Sequence, residues 1–281
     1  MRALCAASVL LALTTSQVFA AAAPATVEIE KMTWPELKAA LGAGKTTALF
    51  YVGGTEQRGP QNIIAGHNYI GREVVKHIAE KLGNAIAMPV LAFSPTNANP
   101  ETPGDISLPA DVMGTVLENI ADQAIVNGFK NVVLMGDSGG GQGPTGTYAA
   151  VAKKLDDKYA AKGIHVYYSS APYIAARDAF NKVLVEKGLP IGQHGGIQDT
   201  SEMMYLETLP GNKDWVRKDL LPQTEGALVV DGKVQRGPNT PNNGITGDAR
   251  KSSVELGKLR HEMKVDYAVR EIQGFMAAQK K

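Results

Sequence analysis

Apolar residues come along this chain in short unbroken runs and in helically spaced sets, and the two alternate. Residues 47–52 are a compact apolar run closed by Gly53-Gly54, which predicts a buried strand. Residues 131–135 give the clearest such run, and 85–90 and 164–169 supply two more. Helical spacing covers 71–82, where Val74, Val75, Ile78 and Leu82 share one face. It recurs over 109–127, which ends on the stop signal Asn127-Gly128, and over 146–162, 175–187 and 252–278. Residues 94–104 are rich in Pro, Asn and Thr and read as a loop, as do 222–248. Strands that alternate with helices of ten or more residues predict an α/β fold with a parallel sheet covered on both faces. In such a sheet the ligand site lies at the carboxyl ends of the strands.

The first residues stand apart from this pattern. Arg2, an apolar run from Leu4 to Leu13 and the small-residue ending Val18-Phe19-Ala20 read as a signal peptide over 1–23, with Ala22 and Ala23 as alternative exits. The expected location is therefore periplasmic or secreted, with 24–281 as one domain. Cys5 is the only cysteine, so the mature chain has no disulfide and must rely on its core. The formal net charge is +1, from 29 basic and 28 acidic residues, which leaves no electrostatic footprint for nucleic acid or an anionic membrane. A small-molecule substrate is the expected partner.

Four places could carry chemistry. Glu56 and Arg58 follow the first strand, His67 lies eleven residues beyond Glu56, Asp137 ends the strongest strand, and His194 and Asp199 share a Gly-rich segment. Glu56, His67 and Asp137 at one sheet end would offer two carboxylates and an imidazole to a divalent ion, zinc or manganese, that activates water. A serine hydrolase is an alternative: Ser138 sits at a strand-to-helix turn, with His194 as base and Asp199 as its orienting acid. His77 lies in a helical pattern and His165 and His261 have no acidic motif around them, so all three read as ordinary histidines; Met203 and Met204 read as core, and Trp34 and Trp215 as packing residues.

These segments resemble the creatininase (creatinine amidohydrolase) family. Its signature G-S-T-E-Q-H-G-P-H is similar to Gly-Gly-Thr-Glu-Gln-Arg-Gly-Pro-Gln at 53–61, and N-G-H-G-G-N to Met135 through Gly140. The third signature, H-x-G-x-x-E-T-S-x-M-M, is similar to His194 through Met204, with Asp199 where the family has Glu. Weaker likenesses lie at Pro103-Gly104-Asp105 and from Gly244 to Ser252. The resemblance implies a three-layer α/β/α sandwich with a mostly parallel sheet, often hexameric, that hydrolyses a cyclic amide or related C–N bond with two divalent ions. Glu56 is kept. The family's first histidine falls on Arg58, which has no lone pair to offer a metal. The bridging aspartate falls on His67 and the loop histidine on Asp137.

What the resemblance then implies is one divalent ion at Glu56, His67 and Asp137. Arg58 stands where a second ion would be and binds a substrate carboxylate or an oxyanion, while Asp199 or His194 moves protons. Two alternatives stay open. In one, Arg58 neutralises a metal-free pocket; in the other, the chain is a binding protein that has lost catalysis.

Overall fold

The computed structural model describes residues 24–230 and 232–279, so the expected signal peptide lies outside the described residues. Strands β1 (Thr47–Val52), β2 (Ala85–Ala87), β3 (Asn131–Gly136) and β4 (His165–Tyr168) form a sheet in the order β2-β1-β3-β4, with all neighbouring pairs parallel. Side chains alternate across a strand, and here the alternation divides the core in two. Ala48, Phe50, Val132 and Leu134 pack against α1 (Trp34–Gly42), α3 (Ala110–Val126) and α4 (Thr147–Tyr159). Leu49, Tyr51, Val133 and Met135 pack on the other face against α2 (Gly66–Leu82), α6 (Ile197–Leu206) and α7 (Val254–Ala278). Helix α5 (Ile174–Glu186) joins through Phe180 and Leu184, which meet Ile197 and Leu256. The result is three layers with a parallel sheet in the middle, as the sequence predicts.

Several boundaries differ from expectation, each for a physical reason. Helix α2 begins at Gly66 instead of residue 71, which sets His67 in its first turn. Strand β2 stops at Ala87, short of Pro89, whose nitrogen has no hydrogen to donate. Helix α1 was not expected; it starts where the Glu36 carboxylate accepts the Thr33 N–H at 2.7 Å, with Pro35 in the first turn. Helix α6 was also missed, because its buried positions include Gln198, Asp199, Thr200, Ser201 and Glu202, which erase the apolar spacing. The expected loop at 222–248 contains a small hairpin, β5 (Leu228–Val230) and β6 (Lys233–Gln235).

Met203 and Met204 are buried, and Trp215 stacks on Tyr69 with ring centroids 4.4 Å apart. Trp34, at the start of α1, is 67 % exposed. Among the described residues no helix is long and apolar enough to cross a membrane.

Candidate active site

A cleft of about 400 Å³ opens at the carboxyl ends of β1 and β3, within the volume range of small-molecule sites. Glu56, His67, Asp137, His194 and Asp199 all reach its wall. The loop after β1 carries Glu56, the first turn of α2 carries His67, and Asp137 follows directly on β3. His194 sits just ahead of α6, and Asp199 lies in its first turn.

The central feature is one imidazole between two carboxylates. His67 Nε2 lies 2.6 Å from Glu56 Oε1, and His67 Nδ1 lies 2.6 Å from Asp137 Oδ2. Two carboxylates facing two ring nitrogens require two N–H donors, so the ring is an imidazolium. Burial and the nearby Arg58 charge oppose that form, but the bonds to Asp137 and Glu56 outweigh them and raise the His67 pKa. For Glu56, burial pushes the pKa up, yet the His67 bond together with the charges of His67 and Arg58 holds it below the usual range.

The network continues inward through α7. Lys264 Nζ donates to Asp137 Oδ1 at 2.5 Å and lies 2.8 Å from Glu202 Oε2. The Tyr51 hydroxyl also donates to Asp137 Oδ1, at 3.2 Å. Arg260 donates through Nε to Glu202 at 2.9 Å and stands 3.5 Å from Asp199. Burial would raise the Asp137 and Glu202 pKa values, but the Lys264 ammonium wins, and both are held low.

His194 is set differently. Its Nε2 lies 2.7 Å from the Gln57 carbonyl, which can only accept, so Nε2 carries the hydrogen. The nearby Gln57 side-chain nitrogen, 3.1 Å from the same atom, is a second donor and makes no bond there. Nδ1 is therefore the free basic nitrogen, 3.9 Å from Glu56 Oε1. Asp105 joins the cleft wall as well; burial raises its pKa, helped by the charge of Glu56.

Several expectations differ from the geometry. Arg58 is fully buried and absent from the cleft wall, so it touches neither a substrate carboxylate nor an oxyanion. Its guanidinium lies where a Cβ on Gly66 would collide with it, and it forms a 3.1 Å ion pair with Asp199. Asp199 in turn accepts the Gly195 N–H at 2.9 Å. Burial would raise its pKa, but Arg58 and Arg260 hold it far below the usual range, so it stays ionised and is no proton carrier. The serine-hydrolase arrangement fails with it: Asp199 does not orient His194, and the Ser138 hydroxyl reaches Glu56 Oε2 at 3.5 Å. His261, expected as an ordinary histidine, is buried in α7 against His77, at 2.8 Å, and Glu202, at 3.5 Å. His165 bonds Asp156 at 3.0 Å.

Sequence reasoning missed Lys264, Arg260 and Glu202. Glu202 is the variable position inside the T-S-x-M-M match. His261 and Lys264 fall on the same helix stripe as Leu256, Val265, Ala268 and Ile272, where a charged group needs a buried partner.

The family model for creatinine amidohydrolase matches residues 30–272. The chain belongs to that family. A search of curated proteins returns no match. Among solved structures with the creatininase fold, one named for creatininase with manganese is 23 % identical, with 89 % of this chain and 98 % of that chain covered and a TM-score of 0.68. A mutant creatininase of the Zn-Zn type gives 22 %, the same coverages and 0.65. A mutant creatininase complexed with creatine gives 24 %, the same coverages and 0.68.

Because these creatininase structures include manganese and zinc forms, the expected ligand set has to be tested against the geometry. Among the described residues no three His, Cys, Asp or Glu side chains are arranged to hold a metal ion. His67 could offer a lone pair only by giving up a proton that holds Glu56 or Asp137. Asp137 Oδ1 is already taken by Lys264 and Tyr51, and Oδ2 by His67. Glu56, His67 and Asp137 do converge, but as an ion-paired row that does not fit a divalent ion.

Proposed function

We propose that this creatininase-family protein hydrolyses a C–N bond of a small polar molecule, an amide or lactam, with His194 as the proton-transferring group. The observation that carries this reading is the His194 ring. Its Nε2–H is fixed on the Gln57 carbonyl, which leaves Nδ1 as a base on the cleft wall beside an ionised Glu56. In the reaction, water adds its oxygen to the carbonyl carbon while Nδ1 takes its proton. The C–N bond then breaks, and the departing nitrogen receives that proton from Nδ1. Glu56, 3.9 Å away, stabilises the imidazolium formed between the two steps. Thr96, Asn97, Gln193 and Gln198 line the cleft and suit a substrate rich in hydrogen-bonding groups. Metal-activated water is not carried into this scheme, because the residues expected to hold the ion do not fit one.

The test is a panel of cyclic and linear amides assayed with the native chain and with His194→Gln. Loss of a general base lowers kcat by about 10²–10⁴ with a smaller effect on KM. Equal kcat in the two proteins removes His194 from the mechanism.

A second reading, a binding protein without turnover, is favoured by one observation: the Glu56 carboxylate is already tied to His67. It predicts amides that raise Tm and emerge chemically unchanged after prolonged incubation. Export is also proposed, from the N-terminal sequence alone. Mature protein recovered from periplasm or medium should begin at residue 21, 23 or 24, and an intact Met1 would overturn the proposal.

A further inference from the structure

We infer that two side-chain cations, His67 and Lys264, neutralise the carboxylate cluster under the cleft, so that this member of the family keeps its site without divalent ions. The geometry is a ladder in which anions and cations alternate: Glu56, His67, Asp137, Lys264, Glu202. Each cation stands between two carboxylates, His67 at 2.6 and 2.6 Å and Lys264 at 2.5 and 2.8 Å, and Asp137 is shared by both. All five side chains are buried. A buried carboxylate with no counter-charge is strongly destabilising, so some cation must be present at each rung.

The wider count agrees. The carboxylates Glu56, Asp137, Asp199 and Glu202 are matched one for one by the cations His67, Lys264, Arg58 and Arg260. A divalent ion added to this set would leave at least one uncompensated positive charge in a buried space, even if His67 gave up a proton to it. It would also have to displace a donor from Asp137 or from His67. The four cations come from two helices and one loop: His67 from α2, Lys264 and Arg260 from α7, and Arg58 from the loop after β1. They are therefore present as soon as the chain has folded.

This inference concerns how the cluster is neutralised, and it stands or falls independently of whether the cleft turns over an amide. The experiment uses the purified mature chain. It is incubated with excess zinc or manganese, desalted and analysed for metal, and Tm is measured with EDTA and with 1 mM of either ion. A site of about 10 µM affinity would raise Tm by roughly 5–10 °C at that concentration. The expected result is under a tenth of an equivalent of metal and no Tm change in either direction. One equivalent or more, with a Tm rise that EDTA reverses, overturns the inference.

A second arm tests the tethered cation directly. Lys264→Met leaves Asp137 and Glu202 facing each other, and Tm should drop by roughly 6–12 °C. Lys264→Met combined with Glu202→Gln removes one charge of each sign and should recover much of that loss. Lys258→Met, at an exposed i,i+4 pair with Glu262, is the control and should change little. If Lys264→Met is no worse than Lys258→Met, or if the double variant is no better than the single, the ladder is not what neutralises the cluster.

Discussion

The Arg58 guanidinium has no contact with water; it lies against Gly66, with Asp199 as its ion-pair partner. Removing it would leave Asp199 dependent on Arg260, which stands 3.5 Å away. Arg58→Met should therefore lower stability by about 3–5 kcal/mol, the usual cost of stranding one member of a buried pair. Arg58→Met with Asp199→Asn should recover most of it, and urea unfolding of the three proteins checks both statements. A rise in KM at unchanged stability would instead return Arg58 to the substrate. At this scale the sequence was informative about which positions gather and much less about what they do. Glu56, His67, Asp137, His194 and Asp199 all reach one cleft, as their places in the motifs imply. The direction in which Arg58 turns was not legible, because it depends on the space left by Gly66, a residue on another element. Nor was the tautomer of His194, which is set by a backbone carbonyl 137 residues away in sequence.

Helices α6 and α7 must lie unusually close for Arg260 and Lys264 to reach Glu202. Gly257 permits the approach: a Cβ there would run into the backbone carbonyl of Ser201. The contact is pinned at one end, where Ser253 caps α7 through the Leu256 N–H at 3.2 Å and its own N–H donates to Ser201 Oγ at 3.1 Å. In an exposed helix interior, replacing Gly by Ala gains about 1 kcal/mol. Here Gly257→Ala should instead destabilise by about 1–3 kcal/mol, because the two backbones must separate. It should also weaken catalysis, since Arg260 and Lys264 ride on the displaced helix; a lowered urea midpoint together with a lowered kcat is the expected pair of results. A more stable variant would show that the helices have slack. Helix α7 itself was legible, since the expected 252–278 and the observed Val254–Ala278 nearly coincide. Helix α6 was not: a helix whose buried face is made of Gln, Asp, Thr, Ser and Glu has no apolar period to read, although its polarity is what serves the site.

Taken over the whole molecule, alternating apolar runs and helical patterns were enough to give a parallel sheet between two helical layers. They were not enough to give the charge ladder, whose members come from the ends following β1 and β3 and from α2, α6 and α7, and meet only after the layers have closed. That long-range assembly makes stability depend on pH with a definite sign on each side. His67 has a folded pKa above its unfolded value, so its contribution is full below about pH 6.5 and is lost as pH rises through the folded value. Glu56, Asp137, Asp199 and Glu202 have folded values below their unfolded ones. Their contribution is full above roughly pH 5 and is lost as pH falls toward the folded values. Burial and the neighbouring His261 lower the His77 pKa, so the unfolded chain binds this proton more readily and stability drops further below pH 6.5.

Tm should therefore be highest between about pH 5.5 and 7. Within this cluster the acid side should be the steeper one below the range where tyrosines ionise, since four carboxylates and His77 act there and His67 alone acts as pH rises. Scanning calorimetry from pH 3 to 10 measures this directly. His67→Gln should flatten the alkaline limb while leaving an acid limb. An alkaline limb unchanged in that variant would mean that the imidazole is neutral in the native state and that one of its two carboxylate contacts is not a hydrogen bond.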